Sequence, residues 1–94
     1  MTMETFEAFE ARARAAGFDE ALERDWAPLT ALEAHVHPFD AQAVVTRGEM
    51  WLTCDGSTRR LGPGDTFSVP RGIAHAERYG PQGATYWVAR RNPR

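Results

Sequence analysis

Gly64-Asp65-Thr66-Phe67-Ser68-Val69-Pro70-Arg71-Gly72-Ile73-Ala74-His75 is the stretch that decides the fold. Thr66 to Val69 alternates polar and apolar residues, the period of a half-buried strand. Pro70 cannot donate to a sheet ladder and ends that strand. Gly72 permits the tight turn that follows. His75 then stands at the start of a second strand, 74–79. Upstream, His35-Val36-His37 lies in a segment read as a strand over 30–37, where a period of two puts both imidazoles on one face. The chain has three histidines, and all of them fall in these two segments.

Outward from the histidines, the same punctuation continues. Strands are expected at 20–26, 30–37, 41–47, 49–54, 57–61, 66–69, 74–79 and 84–90. Asp55-Gly56 is a two-residue hairpin signal between the fourth and fifth of these. Gly62-Pro63-Gly64-Asp65 and Gly80-Pro81-Gln82-Gly83 read as turns, and Asp40 in Pro38-Phe39-Asp40 as a turn residue. Many short strands between turn signals indicate an all-β sandwich or barrel. Only 3–16 reads as a helix: Phe6, Phe9, Ala13 and Ala16 make one apolar stripe, and Gly17 is a C-terminal cap. Residues 1–19 are thus a short N-terminal helix with its connection, and 20–94 form the β-domain. The C-terminal Arg90-Arg91-Asn92-Pro93-Arg94 is expected to fray into solvent.

With 94 residues the chain makes one small domain, with five Phe, three Trp and two Tyr supplying much of the large apolar surface. Trp26, Trp51 and Trp87 are read as packing or interface residues, and Met50 and Cys54 share a core-facing strand side with Leu52. A net charge of −2 argues against nucleic acid as a partner. All basic residues are arginine, for which there is no physical account. A single cysteine, Cys54, excludes an intramolecular disulfide and suits a reducing compartment. No apolar run suggests a signal peptide or a membrane span, so a cytoplasmic protein is expected.

The two histidine segments resemble the paired motifs of the cupin superfamily. The second motif runs Gly, five residues, Pro, one residue, Gly, two residues, His, three residues, Asn. Gly64, Pro70, Gly72 and His75 match it, with Tyr79 where Asn is common. The first motif runs His-x-His, three or four residues, Glu, six residues, Gly, and His35, His37 and Gly48 match it. The resemblance covers about residues 20–90 and implies a double-stranded β-helix, the jelly-roll barrel, with a metal inside and a mouth for a small ligand. His35, His37 and His75 are the implied ligands for a divalent transition metal: Fe, Mn, Ni, Zn or Cu. The family's glutamate is missing. Counting back from Gly48 gives Ala41, which cannot ligate. The longer count from His37 gives Gln42, which ligates only through a bulge.

Strand alternation from His75 directs Glu77 and Tyr79 into the same interior. Glu77 is the candidate catalytic acid or base, against the alternative that it pairs structurally with Arg47. The resulting expectation is a metal-dependent enzyme acting on a small polar organic molecule. The alternative is a non-catalytic ligand-binding or sensor module. A symmetric homodimer is expected, as the commonest closed assembly.

Overall fold

The computed structural model describes residues 4–93. The elements in order are α1 (Phe6–Ala15), β1 (Glu20–Trp26), β2 (Ala31–His35), β3 (Asp40–Cys54), β4 (Ser57–Leu61), β5 (Thr66–Val69) and β6 (His75–Arg91). All strand pairs are antiparallel. The architecture rests on the two long strands, which pair with each other along most of their length. The first half of β3 also pairs β5 and its second half β4. The second half of β6 pairs β1 and its first half β2. One hydrogen-bonded sheet is thereby folded into two four-stranded layers, β1-β6-β3-β5 and β2-β6-β3-β4, facing each other as a jelly roll.

Folding one sheet on itself requires both long strands to bend at the same level. On β3 the register shifts between Val45 and Arg47 and again between Gly48 and Met50. On β6 the four residues Gly80 to Gly83 stand where β3 has only Glu49, since Tyr79 faces Met50 and Ala84 faces Gly48. The Gly80-Pro81-Gln82-Gly83 segment is therefore not the chain reversal expected of it. It is a wide bulge inside a continuous strand, because both flanks stay paired to β3 in the same direction. For the same reason the expected strands 41–47 and 49–54 are one strand, as are 74–79 and 84–90. Gly48 has φ 79°, and a Cβ placed on it would lie 2.1 Å from the Gly83 carbonyl oxygen. The bend thus requires glycine at this position.

The main core fills the space between the layers, with Val45, Met50, Leu61 and Tyr79 at most 1% exposed. Met50 belongs wholly to this core, whereas Cys54 is only half-buried. A second cluster lies outside the barrel, where α1 covers β1 and β6. Phe9 and Ala13 pack there with Phe18, Trp87 and Ala89, and the Phe6 and Phe9 rings lie 5.8 and 5.9 Å from Trp87. Thr5 caps α1 by accepting the Ala8 N–H at 3.1 Å, and the helix ends at Ala15. It is shorter than the expected 3–16, and residue 3 lies outside the described residues. Ala16 is exposed rather than part of the buried stripe. Arg90 and Arg91 do not fray as expected, and Arg94 lies outside the described residues. Arg90 and Arg91 belong to β6, and the Asn92 N–H donates to Asp19 Oδ2 at 2.7 Å. No helix among the described residues is long and apolar enough to cross a membrane.

Gly48→Ala is expected to lower the unfolding free energy by about 3 kcal/mol or more, because the methyl group meets backbone that has no freedom to move. Gly62→Ala, at an open position, is the control and should leave stability nearly unchanged. Urea denaturation of both variants measures the difference.

Candidate metal centre

Three elements deliver the imidazoles. His35 ends β2, His75 begins β6, and the two are register partners. His37 lies beyond β2, which ends at His35, contrary to the expected strand through 37. Pro38 follows it, and Pro disfavours continued ladder pairing. The segment is instead held from the other motif. The Gly72 N–H donates to the His37 carbonyl at 3.0 Å, and the Arg71 N–H donates to Asp40 Oδ1 at 2.8 Å. Asp40 is therefore a clamp at the start of β3 rather than a turn residue, with Arg91 at 3.3 Å on its other oxygen. The Arg71 amide beside it holds the Asp40 carboxyl below its ordinary pKa.

The three rings converge. Their centroids lie 4.3 Å apart for His35 and His75, 4.6 Å for His37 and His75, and 5.0 Å for His35 and His37. One nitrogen from each lies within 4.8 Å of the others, so the three could hold a metal ion. His35 Nδ1–H donates to the Glu33 carbonyl at 2.7 Å, and His75 Nδ1–H to the Ile73 carbonyl at 3.2 Å. A carbonyl only accepts, so these contacts place a proton on Nδ1, the tautomer that in a neutral ring leaves Nε2 its lone pair. His37 Nδ1 is buried with no hydrogen-bond partner among the described residues. Its ring stacks on Phe39 at 4.6 Å, and the Arg90 guanidinium lies 4.8 Å from the centre of that same Phe39 ring. Burial, then the neighbouring His75 and His35 and the Arg90 and Arg24 guanidiniums, push the His37 pKa from 6.5 down to about 4. Three convergent imidazoles, two of them held with Nε2 free of backbone contacts, fit a divalent transition metal.

Ala41 stands in the wall of this cavity, while Gln42 is exposed on the opposite side of β3. The strand carries no bulge between Asp40 and Val45, so Gln42 does not turn inward. Glu77 does face the centre and is 6% exposed. Its Oε2 lies 3.7 Å from His35 Nε2 and 3.9 Å from His75 Nε2. The Tyr79 hydroxyl donates to its Oε1 at 2.5 Å. Burial raises the Tyr79 pKa, which keeps that hydroxyl protonated as the donor. The alternative partner is elsewhere: Arg47 donates to Thr85 Oγ1 at 3.2 Å and to the Gln82 carbonyl at 3.2 Å. Trp26 stacks on Tyr79 at 5.1 Å and is a wall of the cavity as well as a packing residue.

The cavity measures about 100 Å³ and includes residues not singled out from the sequence, chiefly Arg24 and Arg90. A signal for Arg24 was present. Leu22, Arg24 and Trp26 alternate along β1, so an inward Leu22 and Trp26 put Arg24 inward too.

The stability of the metal-free protein is expected to fall as pH drops from 6.5 to about 4. In that window the unfolded His37 binds a proton and the folded one does not, so protonation favours unfolding. Denaturant melts across this range should show the decline, and His37→Gln should flatten it. An unchanged decline in that variant would assign the effect to other groups.

Residues 24–86 match the family model described as "Cupin domain". No curated protein matches the sequence. Among solved structures, KdgF from Halomonas sp. is similar at 23% identity and a TM-score of 0.66, over 78% of this chain and 68% of that one. An RmlC-like cupin from Shewanella frigidimarina is similar at 24% identity and a TM-score of 0.69, over 79% and 66%. The DMSP lyase DddQ from Ruegeria pomeroyi shares 29% identity at a TM-score of 0.70. This chain spans only 37% of that protein, with 77% of its own length aligned. The folded-over sheet, the two histidine segments and the matching family model together make this chain a member of the cupin family.

Proposed function

We propose that this cupin is a metal-dependent enzyme acting on a small polar organic molecule. The observation that carries the proposal is one cavity holding three convergent imidazoles and a carboxylate oxygen 3.7 and 3.9 Å from two of them. In this reading His35, His37 and His75 hold one divalent transition metal, which supplies Lewis-acid charge stabilisation when bound. Three protein ligands leave positions open for substrate, as catalytic metal sites require. Ala41 contributes to that openness by offering no side-chain donor where the family pattern has a glutamate.

Glu77 is the acid or base. Tyr79 fixes its Oε1, which leaves Oε2 as the oxygen that takes or returns a proton at the centre. The backbone carbonyls of Glu33 and Ile73 hold the His35 and His75 rings in orientation, and the stacked Phe39 holds His37. The cavity is small against the ~300–1,000 Å³ of pockets for drug-sized ligands, which suits a substrate of few atoms. That the DMSP lyase DddQ shares this barrel supports an enzymatic reading. The second reading, a non-catalytic ligand-binding module, draws on the same Ala41, since a missing carboxylate donor also suits a weaker metal site.

Glu77→Gln separates the two readings. The amide oxygen still accepts from Tyr79, so thermal melts should stay close to wild type both with and without added zinc. Turnover of a panel of small polar acids, followed by mass spectrometry, should fall by roughly 10²–10⁴-fold. A variant that keeps full turnover, or that melts lower by the same amount in both conditions, would reduce Glu77 to a structural role.

A further inference from the structure

Three buried side-chain nitrogen atoms lack a well-formed hydrogen bond among the described residues: His37 Nδ1, Arg90 Nε, and Trp26 Nε1, which has only the Tyr86 hydroxyl beside it. All three belong to residues that line the same cavity. Buried polar groups are nearly always satisfied, so a cluster of exceptions in one cavity points to a missing partner. Indole and guanidinium nitrogens only donate, so that partner must be rich in acceptors.

Charge points the same way. Inward positions of barrel strands are normally apolar, and Leu22, Trp26, Tyr86 and Val88 fill four of them. Arg24 interrupts this series on β1 and Arg90 on β6. Arg24 has no carboxylate within ion-pair distance among the described residues, and its guanidinium lies 4.7 Å over the Trp26 ring. Arg90 reaches Glu20 only through NH1, at 3.4 Å, and its Nε is left without an acceptor. Register places Arg90 beside Glu20, four residues from Arg24 along β1, so the two backbone positions are about 13 Å apart. Long side chains from both ends can bracket a small molecule between them. The cavity wall thus carries two guanidiniums against the single carboxylate of Glu77.

We propose that the cavity binds a small organic acid, its carboxylate oxygens received by Arg24 and Arg90. The inference builds on the reading of this cavity as the ligand site, and names the class of ligand, but it requires no metal. Guanidinium is suited to the task because its planar fork of donors matches a carboxylate. A hydrogen bond from Arg90 Nε to an oxygen acceptor would satisfy a donor that is otherwise buried alone.

The test uses malonate as the probe and malonamide as its uncharged counterpart, titrated calorimetrically into protein stripped of metal and then freed of chelator. Malonate should bind, malonamide should not, and added sodium chloride should weaken the binding. Arg24→Leu and Arg90→Leu should each weaken malonate by about ten- to a hundredfold. Equal binding of malonamide, no binding of malonate, or undiminished binding in either variant would overturn the inference. Where circular dichroism shows a variant unfolded, the contrast between malonate and malonamide in the wild type, with its salt dependence, decides. Malonate that binds only after zinc is added is chelated by the ion, which overturns the arginine assignment and leaves the metal reading intact. Malonate binding in a protein that retains no metal under any loading leaves the arginine assignment intact and removes the metal reading.

Discussion

The close approach of β3 and β6 at Gly48 and Gly83 is the constraint on which the rest of the molecule depends. With the Gly83 carbonyl 2.1 Å from where a Cβ on Gly48 would sit, only a backbone without a side chain passes there. That passage lets two long strands bend together. The bend converts one sheet into two facing layers and turns the inward row of β6, from His75 through Glu77 and Tyr79 to Tyr86 and Val88, around a single interior. Without it, His75 and Val88 would be strung out along a flat strand. Gly83 meets a similar limit, since a Cβ there would lie 2.3 Å from the Trp26 carbonyl, so the end of β1 is pinned against the same corner.

A second layer of control is local and made of main-chain hydrogen bonds. The loop after Pro70 binds the loop after His35 through Gly72 to His37 and Arg71 to Asp40. These two bonds bring His37 to the centre although it has left its strand. The cavity they help to close is electrostatically uneven. It collects three imidazoles, a carboxylate with one oxygen tied to Tyr79, and two guanidiniums. Burying such groups without partners costs kilocalories per mole, so a site of this kind is arranged around what it binds. A cation at the imidazoles and an anion at the arginines would each offset part of that cost.

Much of this was legible in the sequence because the signals are steric. Gly64, Pro70, Gly72 and His75 lie at spacings that a strand, a turn and a second strand dictate, and their resemblance to the cupin motifs implied the barrel and the three converging rings. Strand alternation correctly sent Glu77 and Tyr79 inward, and of the two positions that the motif spacing offered, Ala41 faces the cavity and Gln42 does not. Two of the misreadings share one cause. Gly80-Pro81-Gln82-Gly83 has turn composition, yet pairing with β3 on both sides makes it a bulge, and long-range pairing cannot be read from four residues. Asp40 looked like a turn residue because its partner, the Arg71 amide, lies far along the chain. Arg24 and Arg90 were passed over because arginine is ordinarily read as surface. Their inward direction follows only when the alternation of β1 and β6 is weighed against residue type.

The central claim is that His35, His37 and His75 form one metal site. Metal analysis of protein purified without chelator or polyhistidine tag tests it most directly, made on the wild type and on His75→Ala. The account predicts one equivalent of a divalent transition metal in the wild type and none in the variant, with the β-sheet circular dichroism of the two alike. A wild type that takes up no metal even when it is supplied, or a variant that keeps the full equivalent, would contradict it.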